Sequence, residues 1–194
     1  MKKDIILAGV GGQGILTIAT IIGSAALLEG LHLKQAEVHG MSQRGGDVQS
    51  NLRISSKPIA SDLIPEGKAD LIISIEPMES LRYVNMLNKK EGWLVTSMNP
   101  FVNISNYPPI EDVLNAIWEI PRNVTIDAEK VAKEQGSVRA ANIVALGAAS
   151  PYLGLSYESL EKSIETIFAK KGKDMVTLNL KALAAGKNYA IRRT

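Results

Sequence analysis

Near the start of the chain, an apolar run, a glycine cluster and a longer apolar stretch follow one another directly: DIILA at 4–8, GVGGQG at 9–14 and ILTIATIIGSAALL at 15–28. A short, continuously apolar run that stops at glycine has the character of a strand buried on both faces. In the stretch that follows, Leu16, Ala19, Thr20, Gly23 and Leu27 recur at helical spacing, while Ile15, Ile18 and Ile22 mark another face. A helix apolar on most sides has to be covered on most sides, and Gly30 supplies its stop. A strand that turns through glycines into such a helix is the opening unit of an α/β layered fold.

The pattern recurs downstream. LKQAEV at 33–38 has strand character. VQSNLRI alternates Val48, Ser50, Leu52 and Ile54 against Gln49, Asn51 and Arg53, which suits an antiparallel or edge strand with one polar face. ADLIISI at 69–75, GWLVTS at 92–97 and NVTIDA at 123–128 repeat the buried-strand pattern. Pro77 fits the first position of a helix carrying Leu81, Val84 and Leu87. Residues 98–110, with Pro100, Pro108 and Pro109, read as a loop or cover segment.

From 127 the pattern turns helical. Val138 to Ala149 makes a small-residue helix ended by Pro151, and Ser156 caps another whose stripe is Leu160, Ile164, Ile167 and Phe168. Asp174 begins the last, with Val176, Leu180 and Leu183. At 194 residues and 45% apolar, the chain is long enough for one well-buried core and short for two. The expectation is one domain over 1–194: a three-layer, Rossmann-like α/β sandwich with a mainly parallel sheet flanked by helices and a helical C-terminal third.

Several function classes fall away. With no cysteine, the chain offers no disulfide, thiolate metal ligand or cysteine nucleophile. Its two histidines, His32 and His39, are too few for a metal site without thiolates. A net charge of +2 with 5% aromatics gives no basic stripe with stacking rings, so no nucleic-acid partner is expected. MKKDIILAG is basic then apolar, but Asp4 and the glycines make it too short for a signal peptide. No stretch reaches the roughly 20 apolar residues of a membrane span, so no membrane association and a cytoplasmic location are expected. No serine lies in a GxSxG context, and Glu76 and Glu79, flanking Pro77-Met78, read as carboxylates at a helix start.

The glycine loops carry the interest. Gly9, Gly11 and Gly14 have dinucleotide-fingerprint spacing, and Glu37 stands where a ribose-binding acid would be sought. Against this, Gln13 puts an amide inside the loop, and the run HGMSQRGG at 39–46 has no part in that fingerprint. Gly40, Gly45 and Gly46 around Gln43 and Arg44 suit a backbone nest with a fixed cation, fit for an anion or a partner's carboxylate. Seven of the 16 glycines fall in these two loops. In an open parallel sheet both loops could share one edge. A stand-alone NAD(P)-binding oxidoreductase and a shared functional edge both remain open on the residues alone.

Taken together, GVGGQG, EVHGMSQRGGDVQSNLRI, IPEGKADLIISIEPMESLRY and ANIVALGA resemble the small (beta) subunit of indolepyruvate:ferredoxin oxidoreductase. That family is related to the gamma subunit or domain of pyruvate:ferredoxin oxidoreductases. The resemblance is strongest over 4–87 and again over 138–149, and nothing is carried over to 98–122. It implies a 2-oxo acid oxidoreductase acting on an aryl pyruvate such as indolepyruvate. The acid would be decarboxylated on thiamine diphosphate, the acyl group passed to coenzyme A, and electrons sent through [4Fe-4S] clusters to ferredoxin. The large alpha subunit would carry the thiamine diphosphate and clusters, leaving this chain without catalytic residues of its own. Carried over by motif, Gly9, Gly11, Gly12, Gln13, Gly14 and Thr17, with His39, Gly40, Met41, Ser42, Gln43, Arg44, Gly45 and Gly46, would face the alpha subunit or its coenzyme A. An anion-holding role for Arg44 is an inference from its charge. An adaptor without a role in turnover is the third reading.

Overall fold

The computed structural model describes residues 1–40 and 45–192. Each apolar run anticipated as a strand is one: β1 (Lys2–Val10), β2 (His32–His39), β3 (Asp47–Ser55), β4 (Leu71–Ser74), β5 (Trp93–Ser97) and β6 (Asn123–Ile126). The helices are α1 (Ile15–Leu28), α2 (Pro77–Arg82), α3 (Ile110–Trp118), α4 (Ala128–Glu134), α5 (Ala141–Leu153), α6 (Tyr157–Phe168) and α7 (Lys173–Ile191). The strands form one sheet of order β2-β3-β1-β4-β5-β6. β1, β4, β5 and β6 run parallel, whereas β3 is antiparallel to both of its neighbours.

Alternation along the central strands sorts the core into two layers. Ile5, Leu7, Leu71, Ile73 and Val95 point to the side covered by α1, α5 and α6. Ile6, Ile72 and Leu94 point to the other, where Val113 and Ile117 of α3 meet Ile64 and Leu87. This is the expected α/β sandwich, with helices on both faces of a mostly parallel sheet. α7 packs outside on α5, so the C-terminal third is helical as anticipated.

Some expectations are corrected. β3 is antiparallel, but it lies between β1 and β2 and not at an edge. Its polar face is roofed by the connection that follows it. The Asn51 Oδ1 accepts from the Ile64 N–H at 3.2 Å, and Arg53 donates to the carbonyls of Ser61 and Leu63. Arg53 also grips Asp4, a fully buried carboxylate, at 2.8 Å. Hydrogen bonds and an ion pair thus make an internal polar face tolerable.

α1 is covered by the sheet, α5 and α6, but one stripe stays open: Leu16, Leu27 and Leu28 are 54%, 62% and 59% exposed. The sheet ends at β2, where Leu33 packs under Gly23, so no element stands beyond the outer flank of α1. α2 stops at Arg82, and Val84 lies in a separate single turn of 3₁₀ helix. The proline-bearing loop expected over 98–110 is present up to Pro109, and α3 follows it in a stretch to which no element was assigned.

Pro151 lies inside α5, which runs on to Leu153 and ends at Gly154, φ 73°. A proline strips one N–H from the helix ladder. Here the Ser150 hydroxyl donates to the Gly147 carbonyl at 2.7 Å, serving the acceptor that the missing N–H would have used.

The contact between α5 and α7 is backbone on backbone. A Cβ at Gly147 would stand 2.1 Å from the Leu183 carbonyl oxygen, and one at Gly186 would stand 2.0 Å from that of Val144. Neither carbonyl can rotate away, so a methyl group there must push two helices apart. Overpacking of this kind typically costs about 1–3 kcal/mol. Gly147→Ala and Gly186→Ala are each expected to lower stability by at least that amount in urea unfolding, with a fall of about 2–4 °C in Tm per kcal/mol. Surface control Met175→Ala should leave Tm within a degree or so of the parent, since exposed substitutions usually fall within about 0.5 kcal/mol.

Candidate functional site

β1, β4, β5 and β6 end at one edge of the sheet, and β2, running in the same sense two positions from β1, ends there too. The glycine loop after β1 and the segment between β2 and β3 therefore meet. The Gly11 N–H donates to the Gly46 carbonyl at 2.9 Å, joining the two loops directly.

The first loop is closed from within. The Gln13 N–H returns to the Val10 carbonyl at 3.1 Å, and the Gln13 side-chain oxygen accepts from the Val10 N–H at 2.8 Å. Gly12 and Gly14 take φ of 102° and 85°, the left-handed region in which side chains are strained. Gly14 is also crowded: a Cβ would lie 2.4 Å from the amide nitrogen of Asn142, which donates to the Gly14 carbonyl at 3.3 Å. α1 then begins with no side chain accepting from its first turn and no acid within it. Such a start presents N–H groups and a positive dipole end to water or to an anion. Thr17, half-buried, lies in that turn with its N–H on the Gly14 carbonyl at 3.1 Å.

In the second segment, the backbone of His39 pairs with Val48, and the Gly40 N–H reaches the Asp47 carbonyl at 3.0 Å. Gly45 takes a φ of 80°, and its carbonyl accepts from the Asn103 side chain. Met41, Ser42, Gln43 and Arg44 lie outside the described residues.

A third group, expected from the sequence only as carboxylates at a helix start, completes the edge. Glu76 is 1% exposed. One of its carboxylate oxygens caps α2 by accepting from the Glu79 N–H at 2.8 Å. The other accepts from the Phe101 N–H at 3.2 Å and from the Tyr107 hydroxyl. Glu79 is also buried and makes a two-pronged pair with Arg82, with 2.8 Å on the shorter arm. Burial pushes the Glu79 carboxyl above its ordinary range, against the pull of Arg82. Reading both acids as dipole partners thus captured the N-cap of α2 but not the tether to a distant segment. An acid directly before an N1 proline is the signal that was available. For Asn142 there was none, since its partner is 128 residues away.

The dinucleotide geometry fails on topology. A ribose-binding acid must end a strand adjacent to the first one. Here β3 intervenes, so Glu37 pairs with Ser50, and Ser50 with Leu7. Two strand spacings, about 10 Å, separate Glu37 from β1. The N–H groups of Val10 and Gly11, which would face a pyrophosphate, are also already used.

Residues 4–189 match the family model for pyruvate ferredoxin/flavodoxin oxidoreductase. The chain belongs to this oxidoreductase family. Among its relatives is indolepyruvate oxidoreductase subunit IorB of Archaeoglobus fulgidus, 38% identical over 98% of this chain and 96% of the relative. Among solved structures, the keto/oxoacid ferredoxin oxidoreductase gamma subunit of Geobacter sulfurreducens matches with a TM-score of 0.70 and 26% identity, over 98% of this chain and 99% of that one. The 2-oxoglutarate:ferredoxin oxidoreductase of Magnetococcus marinus, solved with 2-oxoglutarate, coenzyme A and succinyl-CoA bound, matches with a TM-score of 0.76 and 25% identity. It covers all of this chain but 32% of that one. The expected kinship is borne out: the chain is of the small-subunit type of the ferredoxin-dependent 2-oxo acid oxidoreductases.

Two outcomes test the geometry of this oxidoreductase edge. Gly12→Ala meets no atom within 4 Å, so only backbone strain of about 1–2 kcal/mol is expected. Gly14→Ala should lose more, because Asn142 must also swing away, and Asn142→Ala should recover part of that excess in a double-mutant cycle.

The second outcome concerns pH. Burial, with nearby Asp47 and Glu79, pushes the Tyr83 hydroxyl up to about 12. Burial and the bond to Glu76 raise Tyr107 as well. A raised folded value means that the fold favours the protonated form. The stability from Tyr83 is therefore complete below its ordinary value of 10.0 and is lost as pH rises through about 12. Tyr83→Phe should flatten that alkaline loss and remove one late-titrating tyrosinate from the near-ultraviolet titration.

Proposed function

We propose that this chain is the small subunit of an oxidoreductase that converts an aryl pyruvate such as indolepyruvate, with coenzyme A, into an acyl-CoA and CO₂, the two electrons passing to ferredoxin. The observation that carries the reading is the joining of two glycine loops at the carboxyl edge of the sheet, through Gly11 and Gly46. That edge shows no acid–base–nucleophile constellation among the described residues, which supports a site completed by another chain. The end-to-end similarity to an indolepyruvate oxidoreductase subunit supports the substrate class.

Thiamine diphosphate would supply the carbanion chemistry of decarboxylation. On the family resemblance we assign the clusters and the thiamine to the large alpha subunit; iron–sulfur clusters need thiolate ligands, and the lack of cysteine in this chain agrees with that placing of the clusters. The uncapped first turn of α1, with the backbone of Gly12 and Gly14, fits an anionic group. We assign that place, with Thr17 beside it, to a phosphate of coenzyme A or to a carboxylate of the alpha subunit, and from its charge alone we assign Arg44 an anion-holding role. The described motif residues Gly9, Gln13, Gly40, Gly45 and Gly46 shape the surface around that place. The single sheet supports one domain over 1–194. No described helix is long and apolar enough to cross a membrane, which supports a cytoplasmic enzyme.

Co-purification through a tag on this chain is expected to bring down a large, brown, iron-containing subunit with coenzyme A-dependent electron transfer from indolepyruvate. In that complex, Arg44→Ala is expected to raise the KM for coenzyme A about tenfold, the loss of one charge-assisted contact at about 1.4 kcal/mol. A colourless chain that emerges alone and binds NAD(H) would overturn the reading. An intact complex with unchanged kinetics in Arg44→Ala would remove the assignment of that residue.

A further inference from the structure

Residues 98–109, between β5 and α3, carry three large apolar side chains out into solvent. Phe101, Val102 and Ile104 are 43%, 68% and 42% exposed within a span of four residues. Connections normally put polar groups outward, and clustered exposed apolar groups mark an interaction site. The segment contains no helix or strand, yet it is held at four points. At its start, the Asn99 side chain donates to Asp127 at 2.8 Å and accepts from the Glu129 N–H at 3.0 Å. The Phe101 N–H and the Tyr107 hydroxyl both donate to one oxygen of Glu76, and Asn103 donates to the Gly45 carbonyl.

Glu76 decides how these facts are read. A carboxylate that is 1% exposed is expensive to bury unless hydrogen bonds replace its water. Capping α2 needs one oxygen. The other is committed to the two sides of the apolar tip, so Glu76 works as a buried post on which the tip is mounted. The Asn103–Gly45 contact ties the same tip to the joined glycine loops. Leu16, in the first turn of α1, and Val38, near the end of β2, add exposed apolar surface on this edge, at 54% and 56%.

The occupant follows from chain organisation. In the Magnetococcus marinus enzyme this fold is 32% of a longer chain, whereas the Archaeoglobus fulgidus relative matches this chain over 96% of its own length. Contacts that such a longer chain can make internally are made between chains in a subunit of the length of the Archaeoglobus fulgidus relative, which supports a second chain as the occupant. We propose that the ridge Phe101–Val102–Ile104 docks into an apolar cleft of the larger oxidoreductase subunit, and that Glu76 is the positioning residue that holds the ridge in place. The inference rests on the subunit reading above. It adds a surface that lies outside the glycine motifs.

The test uses the full chain and the full-length large subunit of the same organism, with affinity read by titration and turnover read as coenzyme A-dependent electron transfer. The triple variant Phe101→Ser, Val102→Ser, Ile104→Ser changes exposed groups only, so its circular dichroism and Tm should match the parent. Its affinity for the large subunit is expected to fall at least 100-fold. Tyr107→Phe, which removes one hold on the post and leaves the ridge intact, should weaken binding about 3–10-fold with kcat unchanged at saturating subunit. Met175→Ser, another exposed apolar position, should bind like the parent.

If the triple variant binds within threefold of the parent, the ridge proposal is overturned while the subunit reading stands. If the parent chain forms no complex with the large subunit, both fall. If the parent alone sediments as a dimer that the triple variant dissolves, the ridge serves a second copy of this chain and the proposal is overturned.

Discussion

Strand β3 bonds β1 on one side and β2 on the other, running against both. Because it runs antiparallel, the chain leaves β2 at the carboxyl edge and re-enters the sheet at that same edge. The segment between β2 and β3 must then sit beside the loop that follows β1, and the Gly11–Gly46 hydrogen bond records the contact. The same placement moves Glu37 away from β1 and removes the arrangement that a dinucleotide would need. One strand direction thus creates the joined edge and excludes the commonest use of a glycine-rich first loop.

What holds that edge in register is packing on the far side of the sheet. The first turn of α5 carries Asn142, which touches Gly14, and its middle is pressed against α7 through Gly147 and Gly186. Close-packed interiors transmit small displacements. A methyl group inserted between α5 and α7 would therefore be felt at the start of α5 and at the glycine loop. On the opposite face, Glu76 converts the end of β4 into a support for the connection after β5. Elements far apart in sequence are fixed to one another at the rim by single side chains.

The strands were legible because short, largely apolar runs at 4–8, 69–75 and 93–97 leave little choice but a buried sheet. The partners of those strands were not. The alternation in VQSNLRI told the direction of β3 but not its place, since the residues that roof its polar face lie in a later connection. Pro151 was taken as a helix end, whereas Ser150 supplies the substitute donor that lets α5 continue. The glycine loops announced themselves through composition and spacing. Glu76, Tyr107 and Asn142 did not, because their roles depend on partners 25 to 128 residues away. Local chemistry can be read along a chain, but convergence of remote segments requires the fold.

The amide of Gln13 has a consequence beyond shape. By occupying the Val10 N–H, it lets the glycine turn settle into its final form in the solitary chain. A surface that is already ordered surrenders little conformational entropy when another body arrives, so association free energy is not diverted into folding a loop. On the proposed reading, the turn is a finished template for its counterpart. Assembly at this rim, as proposed above, would then resemble the seating of two rigid parts more than the mutual folding of two flexible ones.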